Sequence, residues 1–113
     1  VKNEISLLKL TMVATAALVS NRFVSLTGGV PAAAANSYGV TDSDAAIGAK
    51  VAIKTHGTAM VETGGAIAAG GLVETDNQGR AVAKNAGITL ARLAPGEVST
   101  AAGQIVEVIL INN

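Results

Sequence analysis

Apolar and polar positions alternate along residues 8–13, with Leu8, Leu10 and Met12 on one side of an extended backbone and Lys9 and Thr11 on the other. This two-residue period predicts a strand, because successive side chains of an extended chain point to opposite faces. Residues 22–26 and 104–111 carry similar short apolar, β-branched blocks and predict two more. In residues 50–55, Val51 and Ile53 face one way and Lys50 and Lys54 the other, as in a half-buried strand with both lysines on a solvated face. Residues 58–62 read as its partner across His56-Gly57. Residues 72–75 and 80–83 flank Asp76-Asn77-Gln78-Gly79, whose residue types tolerate the backbone angles of a reversal, so this segment predicts a hairpin. Residues 88–93 read as a strand ahead of the turn Ala94-Pro95-Gly96-Glu97.

Glycine punctuates these blocks in a recurring way. Ala46-Ile47-Gly48 precedes Val51, Ala69-Gly70 precedes Val73, and Ala102-Gly103 precedes Val106, each glycine standing three residues before a strand valine. A one-turn helix or tight turn ended by a left-handed glycine explains the pattern, and the unequal spacing makes it a reused device and not a solenoid repeat. Pro31 and the alanines after it are too few for a stable helix before Asn36-Ser37 interrupts them, so they read as a loop. The expected organisation is an extended N-terminal arm over residues 1–7 and one β-rich domain over residues 8–113. The arm is suited to adding a strand to a neighbour, with a disordered terminus as the plain alternative.

Composition narrows the function. With 113 residues the chain supports one core. Eight Lys and Arg balance eight Asp and Glu, so no net field holds the protein on nucleic acid or an anionic membrane. Charged residues are only 14% of the chain against 50% apolar, a poverty of surface charge that favours a covered, assembled state. Phe23 and Tyr38 are the only aromatics, which removes the stacking platforms of single-strand and sugar binders. The absence of Cys excludes disulfides, thiolate metal sites and a thiol nucleophile. Residues 23–41 are uncharged, yet Gly28, Gly29, Pro31, Asn36 and Ser37 make them a strand and loop and not a membrane span. The first residues carry Glu4 and have no secretory pattern.

Candidate chemistry is sparse. His56, the only histidine, would have to serve any triad with Ser37, Ser43 or Ser99, but no nucleophile elbow surrounds those serines. Asp42 and Asp44, or Glu74, Asp76 and Asn77, offer oxygens without the glycine and distal glutamate of a calcium loop, so turn formation and capping explain them better. The paired glycines at 28–29, 64–65 and 70–71 lack the Lys-Ser/Thr and following helix of a phosphate loop. Lys50, Lys54, Arg80, Lys84 and Arg92 are spread singly and form no basic stripe. No catalytic residue, cofactor or metal is expected.

Several segments together resemble the capsid cement, or head decoration, proteins of tailed bacteriophages. They are Asn21-Arg22-Phe23-Val24-Ser25-Leu26-Thr27-Gly28, Tyr38-Gly39-Val40-Thr41-Asp42 with Ala45-Ala46-Ile47-Gly48, and Gly57-Thr58-Ala59. Gly65-Ala66-Ile67-Ala68-Ala69-Gly70 and Val73-Glu74-Thr75-Asp76 with Gly79-Arg80-Ala81 continue the likeness, which runs from about residue 8 to residue 111. The resemblance implies a mainly β, barrel-like or tulip-like domain, here with short helical turns, and no enzymatic activity. It also implies a place on the outer surface of the virion, on an expanded head, where the protein bridges major capsid protein subunits as a homo-oligomer, commonly a trimer and sometimes a dimer. Another self-assembling phage subunit, such as a tail-tube or shell protein, shares the same signature. Exposure arguments then nominate an interface in the N-terminal segment, at Lys2, Glu4 and Ile5, and in the loop bearing Pro31, Ala33 and Asn36.

Overall fold

The computed structural model describes residues 4–111. Its elements are all strands: β1 (Ser6–Val13), β2 (Phe23–Val24), β3 (Gly39–Thr41), β4 (Lys50–Glu62), β5 (Leu72–Thr75), β6 (Ala81–Ala83), β7 (Ala91–Leu93) and β8 (Ile105–Leu110). The sheet runs β2-β3-β4-β8-β7-β5-β6, with β1 branching from β4. Every strand pairing is antiparallel. β6 then returns to the end of β4, where Thr63 bridges Ala81 in parallel and the Gly64 N–H donates to the Ala81 carbonyl at 2.8 Å. That return nearly closes a barrel from the second half of β4 and β8, β7, β5 and β6, leaving few unpaired edges.

The barrel is filled by small and medium side chains. Phe23, Val61, Ile67, Val73, Leu93 and Val108 lie in one buried cluster with several alanines, which suits a narrow bore too tight for many aromatics. A second, smaller cluster of Ala14, Leu18, Val24, Val51 and Ile53, with Met12 packed against it, sits where β1, β2 and the first half of β4 meet. β4 and the short β2 contribute to both. The first half of β4 pairs with β1 and β3, its second with β8.

This continuity corrects the expected hairpin at His56-Gly57. Residues 50–55 and 58–62 are one strand, and β1 and β8 are the partners that each was expected to find in the other. Gly57 has φ of 93°, and beside it Leu7 of β1 and Thr55 of β4 drop out of register, so the glycine bends the strand at a bulge and does not reverse it. The hairpin of β5 and β6 over Asp76–Gly79 does form as its residues predict: Asp76 Oδ1 accepts the backbone N–H groups of Gln78 and Arg80.

The expected short helical turns are absent, which corrects that part of the fold. At two of the three glycine-ended motifs, one hydrogen bond closes a four-residue reversal, from the Ala49 N–H to the Ala46 carbonyl and from the Gly71 N–H to the Ala68 carbonyl, each 3.0 Å. Gly48 and Gly70, with φ of 84° and 70°, occupy the third position, where a β-turn needs a left-handed residue. Alanine ahead of glycine is equally a helix ending, but here a strand starts within two residues and leaves no room for a turn of helix. β3, only three residues long and led by Gly39, has no sequence signature, and β2 is shorter than the expected 22–26.

Candidate docking face

β1 is unlike the other strands because none of its side chains is fully buried. Leu7 is 75% exposed, Leu10 52% and Val13 51%, while Leu8 and Ile5 are also open to solvent. The predicted alternation nevertheless holds: Leu10 lies opposite Ile53 and Met12 opposite Val51, so both share a side of the sheet with the small core. Met12 reaches that core. Leu10 stops at its open end.

There the sheet forms a groove of about 290 Å³, lined by Leu10, Leu26, Tyr38 and Ile111, with His56 and Asn36 among the polar groups at its wall. A neighbouring hollow of about 180 Å³ shares Leu10 and Tyr38 and reaches down to Met12 and Ile53. Tyr38 is held outward by its neighbours, since the Ser37 hydroxyl accepts the Gly39 N–H and donates to the Gly39 carbonyl, both at 3.0 Å. The hollow thus opens onto the small core through Met12 and Ile53, and the groove lies beyond that core's edge.

By the same alternation, the opposite side of β1 and β4 carries a charge cluster that corrects the expectation of a solvated Lys54. That side chain is 3% exposed, and its ammonium donates to the Glu4 carboxylate with Asp42 at 3.7 Å. Lys54 points inward because Glu4, carried over β4 by the segment leading into β1, supplies the opposite charge that a buried ammonium requires. Glu4 also accepts the Met60 backbone N–H at 2.8 Å. Partial burial works to raise the Glu4 pKa, but the Lys54 hydrogen bond, the Met60 N–H and the Lys54 charge outweigh it and hold the carboxyl below its ordinary value. Lys9 completes the cluster through Asp42 at 3.3 Å.

The residues nominated from sequence are distributed as follows. Lys2 lies outside the described residues. Glu4 is the clamp just described. Ile5 is exposed, and its backbone is fastened to Thr58, whose N–H donates to the Ile5 carbonyl at 2.7 Å and whose hydroxyl accepts the Ile5 N–H at 2.6 Å. Pro31 is buried, Ala33 is exposed, and Asn36 reaches the groove. Sequence reasoning did not single out Leu26, Tyr38 and Ile111; the one available signal was a lone tyrosine inside the uncharged stretch 23–41.

Several other polar groups are occupied by structure. His56 Nδ1 is 3.1 Å from the Thr55 hydroxyl. Ser99 is buried, its hydroxyl within 3.0 Å of the Thr63 hydroxyl and the Gly65 and Ala101 carbonyls. Asp44 accepts the Ser20 N–H at 2.7 Å, tying two loops together and not capping its own turn. Glu74 accepts the N–H groups of Asn85 and Gly87, and Glu97 that of Glu107. Among the described residues no three acidic or histidine side chains converge to hold a metal ion.

Such a molecule is a binding and assembly module, an all-β barrel whose most distinctive surface is apolar and whose polar side chains hold loops and strands in place. The family model of the phage cement proteins matches residues 1–111, and the chain belongs to that family. It is therefore a non-enzymatic structural protein associated with the phage capsid surface. Its fold is similar to a solved structure described as the head fiber gp8.5 N base in bacteriophage phi29, with a TM-score of 0.74 and 18% identity over 92% of this chain and 93% of that one. No curated protein matches the sequence.

Proposed function

We propose that this protein decorates the outside of an expanded phage head, bridges neighbouring major capsid protein subunits and thereby stabilises the shell. Membership of the cement family over nearly the whole chain is the observation that carries the reading. The mechanism is thermodynamic linkage: a protein that binds the mature shell and not its disrupted form lowers the free energy of the mature state. Each copy that touches more than one subunit adds avidity, so modest individual contacts suffice. The low-charge, apolar surface supports attachment through shape and burial, and the N-terminal segment with the loop of residues 31–36 supplies the proposed capsid contacts.

Cosedimentation of the purified protein with expanded and unexpanded shells tests this. Saturable binding to expanded shells alone is the expected result, with a stoichiometry that reports which symmetry axes are filled. Absence of binding, with rings or tubes formed by the protein alone, would move it to the tail-tube or shell class. A variant lacking residues 1–6 should bind shells more weakly; unchanged binding would remove the N-terminal segment from the interface.

A further inference from the structure

We infer that Asn36 is a site of self-modification, at which the backbone nitrogen of Ser37 displaces ammonia from the Asn36 side chain and water completes the conversion to aspartate and isoaspartate. The inference is independent of the decoration reading, because the reaction needs only this chain and water.

The geometry carries it. Asn36 Oδ1 accepts the N–H of the next residue, Ser37, at 2.8 Å. A carbonyl carbon stands about 1.2 Å from its oxygen, so Asn36 Cγ is at most about 4 Å from the Ser37 nitrogen. A small torsional adjustment brings this pair to the roughly 3–3.5 Å at which reacting atoms meet, and folding has already met much of the entropic cost of bringing them together. The Ser37 hydroxyl accepts the Gly39 N–H and donates to the Gly39 carbonyl, which ties Ser37 to the residues after it while its nitrogen stays on Asn36. Both residues line the groove wall and are only partly buried, so water and hydroxide reach the N–H.

The other asparagines are placed differently. The nitrogen after Asn21 donates to the Thr41 hydroxyl, and the nitrogen after Asn77 donates to Asp76 Oδ1. Among the described residues only Asn36 has its side-chain oxygen on the N–H that follows it.

The steps balance without an oxidant or reductant. Once the Ser37 N–H loses its proton to hydroxide, the electron pair of the nitrogen forms a bond to Cγ. The Cγ–Nδ2 bond breaks, and Nδ2 takes a proton from water and leaves as ammonia, so that a five-membered imide remains. Water then opens the imide on either side of its nitrogen. Cleavage at Cγ gives aspartate; cleavage at the Asn36 backbone carbonyl carbon gives isoaspartate, whose main chain is longer by one carbon. Either product places a carboxylate on the wall that also holds Tyr38 and His56, and turns a chain of zero formal charge negative. Isoaspartate also lengthens the backbone just ahead of the Ser37–Gly39 hydrogen bonds that hold Tyr38 outward.

Folded wild-type protein would be incubated at neutral and mildly alkaline pH beside a matched sample in denaturing urea, and followed by intact mass, peptide mass and isoaspartate content. The expected result is a gain of about 1 Da per chain, found first in the peptide that carries Asn36. Its rate should be about tenfold above that at Asn77 or Asn85, rise with pH, and be at least as high in the folded protein as in urea. Asn36→Gln, whose longer side chain requires a six-membered ring, should lose the fast phase; if that variant fails to fold, peptide mapping of the wild type decides alone. Deamidation at Asn36 no faster than at Asn77 and Asn85, insensitive to pH, or slower in the folded protein than in urea overturns the inference.

Discussion

Lys54 shows how one buried charge ties the start of the chain to its middle. Its ammonium depends on Glu4, whose side chain is 27% exposed and also accepts the Met60 N–H. Replacing Glu4 by Gln should destabilise the protein by about 1–3 kcal/mol in denaturant unfolding, the range for a lost charged hydrogen bond beside a charge left buried. The pH dependence follows from the lowered folded-state pKa. Glu4 is deprotonated more readily in the folded protein, so its contribution is complete above the unfolded value near 4.5 and disappears as pH falls through the lower folded value. Wild-type stability should therefore fall in that acid range more steeply than that of Glu4→Gln, measured as urea midpoints against pH. Ala34 presents a different strain: it sits at φ of 65° in the turn closed by the Ala35 N–H on the Ala32 carbonyl. Ala34→Gly should relieve that conformation and raise stability by about 0.5–1 kcal/mol, read from the same unfolding curves.

Among the elements, β4 carries the architecture. Its bend at Gly57 lets one strand serve the barrel in its second half and β1 and β3 in its first. A Cβ at Gly57 would overlap the Ile5 carbonyl and press on Leu7, and the positive φ makes any side chain strained there. Gly57→Ala should loosen the segment entering β1 while the barrel, held by β4 pairing with β8, stays folded. Limited proteolysis reads this directly: cleavage near residues 4–8 should accelerate, with the remaining fragment resistant. Equal protection of variant and wild type would show that the bulge tolerates a methyl group.

For the whole molecule the deciding property is its shortage of charge. The sixteen charged residues cancel, and several of them pair with one another. Attachment to shells should then depend weakly on ionic strength, since screening acts on exposed charges and not on apolar burial. Raising salt from about 0.05 to about 0.5 M should change the shell-binding midpoint by less than about threefold, whereas an interface built on charge pairs would lose far more. Cosedimentation at the two salt concentrations checks this, and a steep loss would assign attachment to charged loops elsewhere on the barrel.

The sequence by itself determined the β class, the β5–β6 hairpin, β1 and β8, and the absence of a catalytic motif. These are local properties: alternation, turn residues and missing side-chain types are written in consecutive positions. The resemblance to cement proteins was likewise legible, because it rests on short runs of residues and not on their arrangement in space. What only the tertiary structure decided was which strands pair, and hence which surface is left open. Residues 58–62 look like a hairpin partner for 50–55 until β1 and β8 compete for those edges. Lys54 looks solvated until Glu4, fifty residues away along the chain, lies over it. Leu10 looks like core until the fold leaves no second layer above it, and Leu26, Tyr38 and Ile111 become one groove only when distant segments converge. Periodicity states which side of a strand is apolar. Whether that side is covered depends on long-range packing, and in this protein the packing stops one layer short.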